Sequence, residues 1–358
     1  MDNRIIKTFC SKSMKHFLLD LRNDKGEWRA VNFVEMTAEE AKNVTSELSS
    51  SGIKSSASIL PCTSCGSRNI AGCNCATKKY KCKKNEPYRL DCLYCSEMKT
   101  DHSVAAKGYS EWAGISNIPG VTKDRFGNAA GIQYGLGVAG AFKGKRIYVM
   151  GLCSDSIYNF IAPKKALETY GFAITETRSV PSADNLRNVL NDCSQFWLIS
   201  DRKAHLNRPI IDIIKEFFLS GRGLYIWGDN KPYYADANAI TKELFGITMS
   251  GNSKGDQVVT ICKQGQRRGI IENHLLTTGI VNIYEGITIA EVMTSEIIYP
   301  LIYGSNGKVV ASYHDNDGKR AIIDGGFTRL YYKWDTAGTD RYITNAAAWL
   351  TNIERFGL

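Results

Sequence analysis

Seven of the chain's eleven cysteines fall between Cys62 and Cys95, spaced Cys62-x-x-Cys65, Cys73-x-Cys75, Cys82 and Cys92-x-x-Cys95. Thiolates presented in pairs on tight turns suit a tetrahedral ion such as Zn²⁺, and Gly66 and Gly72 stand where such turns bend. In a reducing compartment, a cluster this dense reads as metal ligands rather than disulfides. Four ligands close one zinc site and leave three cysteines over. Two ions sharing one thiolate need seven ligands, and two separate ions need eight. His102, just past the cluster, is then the nearest eighth ligand, with Cys10 and His16 further off. The spacing leaves one ion or two open, and an iron–sulfur cluster remains a rival occupant. A closed, all-cysteine site is structural, because metal binding supplies folding free energy that a short segment lacks.

Inside the same segment runs a basic stretch, Lys78, Lys79, Lys81, Lys83 and Lys84, interleaved with Tyr80 and followed by Tyr88, Arg89 and Tyr94. Cations beside aromatic rings can hold phosphates and stack bases, so nucleic acid is one expected partner. Residues 1–110 carry 18 Lys+Arg against 12 Asp+Glu, a net +6, which is modest for such a role and favours a protein partner. The paired cysteines and the aromatic in DCLYC, over about residues 60–102, resemble the zinc-binding module of TerY-type proteins from tellurite-resistance and related stress clusters. That resemblance implies a partner-binding module in a bacterial stress or defence setting.

The second candidate chemistry lies where apolar runs end. Cys153, Ser154 and Asp155 follow RIYVM, Asp201 and Arg202 follow FWLIS, Asp229 follows LYIWG, and Asp324 ends RAIID. In open parallel sheets, ligands bind beyond the carboxyl ends of the strands. Asp155, Asp201 and Asp229 in one row can hold Mg²⁺ or act as acid and base, the expectation of a metal-dependent hydrolase. The plainer reading is that each caps the turn or helix that follows. Arg178, Arg202, Lys203 and His205 fall near the same edge and can neutralise the acids or bind an anion. Asp324 joins the row only if its strand runs parallel to the others. His205, His274 and His314 show no paired spacing.

These residues need elements to position them. The chain has 358 residues, 43% of them hydrophobic, enough for two packed domains and too apolar for disorder. No apolar run reaches the ~20 residues of a membrane helix, and MDNRIIKTFCSKSMKHF lacks a signal-peptide core. The expectation is a soluble, cytoplasmic protein with no membrane partner, with self-assembly left open. Residues 15–36 read as a hairpin about NDKG. Thr37 and Glu40 form a capping box for a short helix closed by Gly52. Residues 1–103 thus form a β-hairpin, a helix and the zinc-binding module, and the glycine-rich 104–143 reads as a linker or arm. Gly135, Gly137 and Gly140 match a GxGxxG pattern but precede a strand instead of following one, against a dinucleotide loop. From 144 to 358 strands alternate with helices, including a Ser182-capped helix, an Asn207–Pro209 helix start and a last helix at about 344–353.

The segment GRGLYIWGDNKPYYADANAI resembles the strand–turn–helix elbow of class I glutamine amidotransferases and their ThuA-like relatives. RAIIDGGFTRL and AAAWL extend the likeness over about residues 145–355. The resemblance implies an α/β fold: a flavodoxin-like, doubly wound, mostly parallel sheet, preceded here by a small β-rich zinc-binding module. It also implies an elbow cysteine, and that position holds Asp229; the later catalytic histidine has no counterpart in DGGFTRL. A carboxylate without a base partner is a poor nucleophile toward an amide. The expected function is therefore a non-catalytic adaptor or sensor whose α/β domain binds a ligand or assembles.

Overall fold

The computed structural model describes residues 3–10, 15–24, 27–36 and 70–72 and, from 112 to 357, all but 132, 133, 157, 264, 265 and 335. The seven clustered cysteines, His102, Lys78–Lys84 and the helix expected after Thr37 lie outside the described residues. The chain divides into two compact units: Met1–Ala106 with Ile353–Gly357, and Lys107–Asn352 with Leu358.

In the first unit, β1 (Asn3–Cys10), β2 (Lys15–Asp24), β3 (Glu27–Met36) and β4 (Ile70–Gly72) form an antiparallel sheet in the order β3-β2-β1-β4. The expected hairpin is β2–β3, whose pairing closes at Asp24↔Glu27 and leaves Lys25 and Gly26 between the strands. Sequence reading missed β1, whose NRIIKTFC lacks clean alternation, and the three-residue β4. Cys10 pairs with Lys15 and with Ile70, whereas His16 pairs with Phe9.

The second unit is an α/β structure on a mixed eight-stranded sheet. Its elements begin with β5 (Arg146–Gly151), α1 (Ile161–Thr169), β6 (Ala173–Thr177), α2 (Ala183–Asn191), β7 (Gln195–Ile199), α3 (Arg208–Leu219), β8 (Gly223–Trp227) and α4 (Ala235–Phe245). A strand-rich stretch follows: β9 (Met249–Lys254), β10 (Val258–Thr260), β11 (Gly269–Ile270), β12 (Asn282–Tyr284), β13 (Thr288–Val292), β14 (Tyr299–Tyr303), β15 (Val309–Asn316) and β16 (Lys319–Asp324). Helices α5 (Thr339–Leu350) and α6 (Ile353–Phe356) end the described chain. The large sheet runs β11-β14-β15-β16-β8-β7-β5-β6. Its last five strands in that order are mutually parallel, and β15, β14 and β11 add on antiparallel.

Helices cover both faces because strands this apolar need both covered. On one face Tyr148, Met150, Phe196, Leu198, Leu224, Ile226 and Ile323 pack with Leu186, Ile210, Ile214, Phe217 and Ile240 of α2, α3 and α4. Ser182 caps α2 through its hydroxyl and Asn207 caps α3, as their positions predict. Val189 of α2 is 38% exposed. On the other face Gln195 donates to the Ala347 carbonyl of α5 at 2.7 Å, and Trp197 meets Phe160 edge-on. Gly223 lies directly beneath α5, where a Cβ would collide with the Leu350 carbonyl.

The 104–143 stretch, expected as a linker or arm, contributes to this unit's core from residue 112 onward. Ile118, Leu136 and Phe142 are buried, and Phe142 stacks on Phe172 with ring centroids 4.7 Å apart. Helix α5 starts five residues earlier than expected, at Thr339. Its N-cap is Gly338 at φ 65°, a backbone that glycine adopts without strain, and the Thr344 hydroxyl bonds back to Asp340 O inside the helix instead of opening it.

Candidate functional site at the strand ends

Strand β16 pairs in parallel with β8, with Asp324 opposite Trp227. The four aspartates therefore do share the carboxyl edge of one parallel sheet, including Asp324, whose strand direction sequence reading left open. The chain leaves β5 to form β6 on one side and returns to place β7 on the other. A crevice at such a reversal is where α/β sheets place ligands.

At that crevice, Asp201 Oδ1 accepts from the Ser154 backbone N–H at 3.0 Å and its hydroxyl at 2.8 Å, and Oδ2 accepts from His205 Nε2 at 2.9 Å. Burial pushes the Asp201 carboxyl up, but the hydrogen bonds from His205, Ser154 and the Arg202 backbone outweigh it and hold the pKa down to about 2. Arg202 Nε donates to Ser154 Oγ at 3.3 Å. Ser154 and His205 both address Asp201 rather than each other, so this is not a nucleophile with its base. The loop carrying His205 is pinned from below. The His205 and Leu206 N–H groups donate to buried Asp236 Oδ1, and the Ser200 hydroxyl caps the first turn of α4 from across the fold.

Asp229 occupies the elbow after β8. Only 1% exposed, it folds back to accept from the Asn230 N–H at 2.8 Å. Burial drives its carboxyl well above the ordinary range, against the opposing pull of that bond and of Arg329. Asp324 is equally internal: it pairs with Arg329 at 2.7 Å, both fully buried, and accepts from Tyr342 OH at 3.0 Å and Gly326 N at 3.0 Å. Burial pushes its pKa up, and Arg329 opposes that shift.

Asp155 stands apart from these. Tyr331 OH donates to its Oδ2 at 3.0 Å, and Tyr331 meets Tyr158 edge-on at 5.3 Å. The Arg178 guanidinium lies 4.1 Å over the Tyr158 ring and donates to Cys153 O at 2.9 Å. Cys153 itself is buried, and burial pushes its thiol up to about 11, which keeps it from being a thiolate at neutral pH.

The structure therefore brings Asp201, His205, Arg202 and Ser154 into one network. Asp155 sits with two tyrosines, and Asp229 and Asp324 are withdrawn inside. Among the described residues no three His, Cys, Asp or Glu side chains gather into a metal-binding group. Sequence reading missed Tyr158, Tyr331, Tyr342, Arg329 and Asp236. Arg329 and Tyr331 stand within or just after the quoted DGGFTRL stretch, yet nothing in the string pairs them with residues after β5 or β16. Among the described residues no helix is long and apolar enough to cross a membrane.

No protein-family model matches the sequence, and no curated protein matches it either. Solved structures offer distant likenesses. A cytoplasmic protein of Salmonella typhimurium LT2 is 10% identical over 56% of this chain and 97% of its own, with a TM-score of 0.41. The glutaminase domain of Trypanosoma brucei CTPS, with acivicin bound, is 10% identical over 59% of this chain and 94% of its own, at a TM-score of 0.31. The carbohydrate deacetylase Agd3 is 13% identical over 58% of this chain and 32% of its own, about a third of its length, at 0.35. At such identities and TM-scores these likenesses transfer no chemistry to this chain.

Proposed function

We propose that the chain is a non-catalytic adaptor or sensor. In this reading the α/β unit is a flavodoxin-like domain of class I amidotransferase type that recognises a ligand or assembles. The cysteine segment holds one or two structural Zn²⁺ ions through Cys62, Cys65, Cys73, Cys75, Cys82, Cys92 and Cys95, with His102 as eighth ligand if two ions bind separately. That module docks a protein partner in a bacterial stress or defence setting. Numbered along the chain, the parallel strands lie in the order 2-1-3-4-5, the flavodoxin-like order, which supports the fold part. The zinc and partner parts rest on cysteine spacing alone.

One observation carries the non-catalytic part. The residue at the elbow, Asp229, is buried and bonded to its own backbone, with burial pushing its carboxyl up, and the thiol that follows β5, Cys153, is buried and protonated. Neither can attack an amide as it stands. The test uses the purified full chain, with ammonia release from glutamine and zinc content by elemental analysis. The reading expects no turnover and one or two zinc ions per chain. Glutamine hydrolysis that is lost on Cys153→Ala overturns the first part, and a chain that keeps its whole fold after chelation overturns the second.

A further inference from the structure

The α/β unit holds a cavity of about 550 Å³ between residues 124–131, the end of α1 and the start of α5. The polar atoms there that have no partner among the described residues, Asn128 Nδ2, Thr339 Oγ1 and Arg341 Nη1, are closed to solvent and so do not meet an occupant. The crevice at the strand ends differs, because its spare donors stand open.

Two arginines meet there, on consecutive residues of the chain leaving β5. Arg178, which follows β6, donates from Nη2 to Cys153 O at 2.9 Å. Arg202, which follows β7, donates from Nε to Ser154 Oγ at 3.3 Å. The sheet order reverses at β5, with β6 on one side and β7 on the other, so the crevice has a guanidinium from each flank. Both groups are held in place. Asp201 accepts from the Ser154 hydroxyl at 2.8 Å, and the same hydroxyl accepts from Arg202, so the carboxylate positions the arginine through the serine. The Arg178 guanidinium lies 4.1 Å over the Tyr158 ring, and that of Arg202 stands 5.9 Å from the centre of Tyr233.

What these cations have left over is open to solvent. The Arg178 side chain is 47% exposed, and Arg202 and Lys203 are exposed as well. Arg202 keeps both Nη nitrogens without a hydrogen-bond partner among the described residues, and neither it nor Lys203 forms an ion pair there. Of the two roles open to them in the sequence, pairing with the row of acids is therefore not the one they take. The acids beside them are turned to other partners. Asp201 is 3% exposed with donors on both oxygens, Asp155 accepts from Tyr331, and the half-buried Glu176 lies 3.8 Å from Arg178 Nη1. Formal charges balance, but the donors reach the crevice and the Asp201 acceptors do not. A planar guanidinium with N–H groups to spare matches the oxygens of an oxyanion.

We infer that this crevice binds the phosphate group of a small molecule, held between Arg178 and Arg202 with Lys203 beside it. Two guanidiniums and an ammonium favour a dianion over a singly charged carboxylate. The inference rests on the α/β unit being a ligand-recognising unit and gives that reading a site and a ligand class. Its failure would leave the non-catalytic reading standing, and glutamine turnover would leave this one standing.

The test titrates inorganic phosphate and acetate into the full chain by calorimetry near pH 7.5, at ionic strength matched with sodium chloride. The expected result is saturable phosphate binding, with acetate about tenfold weaker or more. Arg202→Met keeps the apolar stem and removes the fork, and should weaken phosphate about tenfold. Arg187→Met removes the same charge from an exposed site on α2, where it pairs with Glu216, and should change affinity less than about twofold. Should Arg202→Met fail to fold, as read by thermal unfolding, Arg202→Lys decides, with an expected loss of about threefold. No saturation by phosphate up to about 20 mM, acetate bound as tightly, unchanged affinity in the Arg202 variant that folds, or an equal loss in Arg187→Met overturns the inference.

Discussion

The carboxylate rim and the cavity beside α5 are built from similar residues and differ in how their polar groups are paired. At the rim Asp201, Asp229 and Asp324 each meet donors supplied by the fold itself. In the cavity, donors on Asn128, Thr339 and Arg341 meet none among the described residues. A carboxylate whose lone pairs are taken has little left to offer a metal or a proton, whereas a donor buried without an acceptor costs free energy. The acids that stand out in the sequence thus meet partners within the fold, whereas the inconspicuous Asn128, Thr339 and Arg341 each keep a polar atom without one among the described residues.

If that contrast holds, damage at the rim should cost stability, and removal of an unpartnered group in the cavity should cost little. The largest effect is expected for Arg329→Met, which strands Asp324 and Glu285 in the interior. A loss of about 3–5 kcal/mol in denaturant unfolding is the expectation, and Asp324→Asn added to it should return part of that loss. A fully stable Arg329→Met chain would break the comparison at its rim side. Asp201→Asn comes next, at about 2 kcal/mol near pH 7. Folding depresses the Asp201 carboxyl from its ordinary 3.8 to about 2, so its contribution is complete above the unfolded value and fades as pH falls through the folded one. Wild type and variant should converge in stability over that interval, and a difference that persists below it would assign the effect to something other than the charge.

Thr339→Val sharpens the other side. It removes a buried hydroxyl that has no partner among the described residues, so stability should change by no more than about 0.5 kcal/mol, or rise. A large loss of stability there would mean that the hydroxyl is structural. The smallest effect concerns thiols. Cys153, buried with its pKa pushed up to about 11, should alkylate more slowly at mildly alkaline pH than the half-buried Cys262, as read by peptide mass spectrometry.

The parts of this chain that could be read as a string are those whose signal is local. The strands β5, β7 and β8 are short apolar runs, α2 and α3 announce themselves by Ser182, Asn207 and Pro209, and the hairpin β2–β3 by Asp24 through Gly26. Even the edge on which Asp155, Asp201 and Asp229 stand followed from strand alternation. Missed elements were those whose identity depends on a distant neighbour. The β1 strand needs β2 and β4 beside it, the two-residue β11 exists through β14, and the glycine-rich 112–143 stretch packs by contacts such as Phe142 on Phe172.

What the amino-acid order determined alone is the α/β alternation, the caps, the positions of the acids and the cysteine spacing, because each depends on residues a few places apart. Tertiary structure alone decided what the side chains do. Tyr331 reaches Asp155 across 176 residues of sequence, Arg341 reaches Ala129 across 212, and Asn128 holds Val281 across 153. Whether a carboxylate is spent or a donor left over is settled by partners that chain folding, and no local rule, brings within 3 Å or so of it.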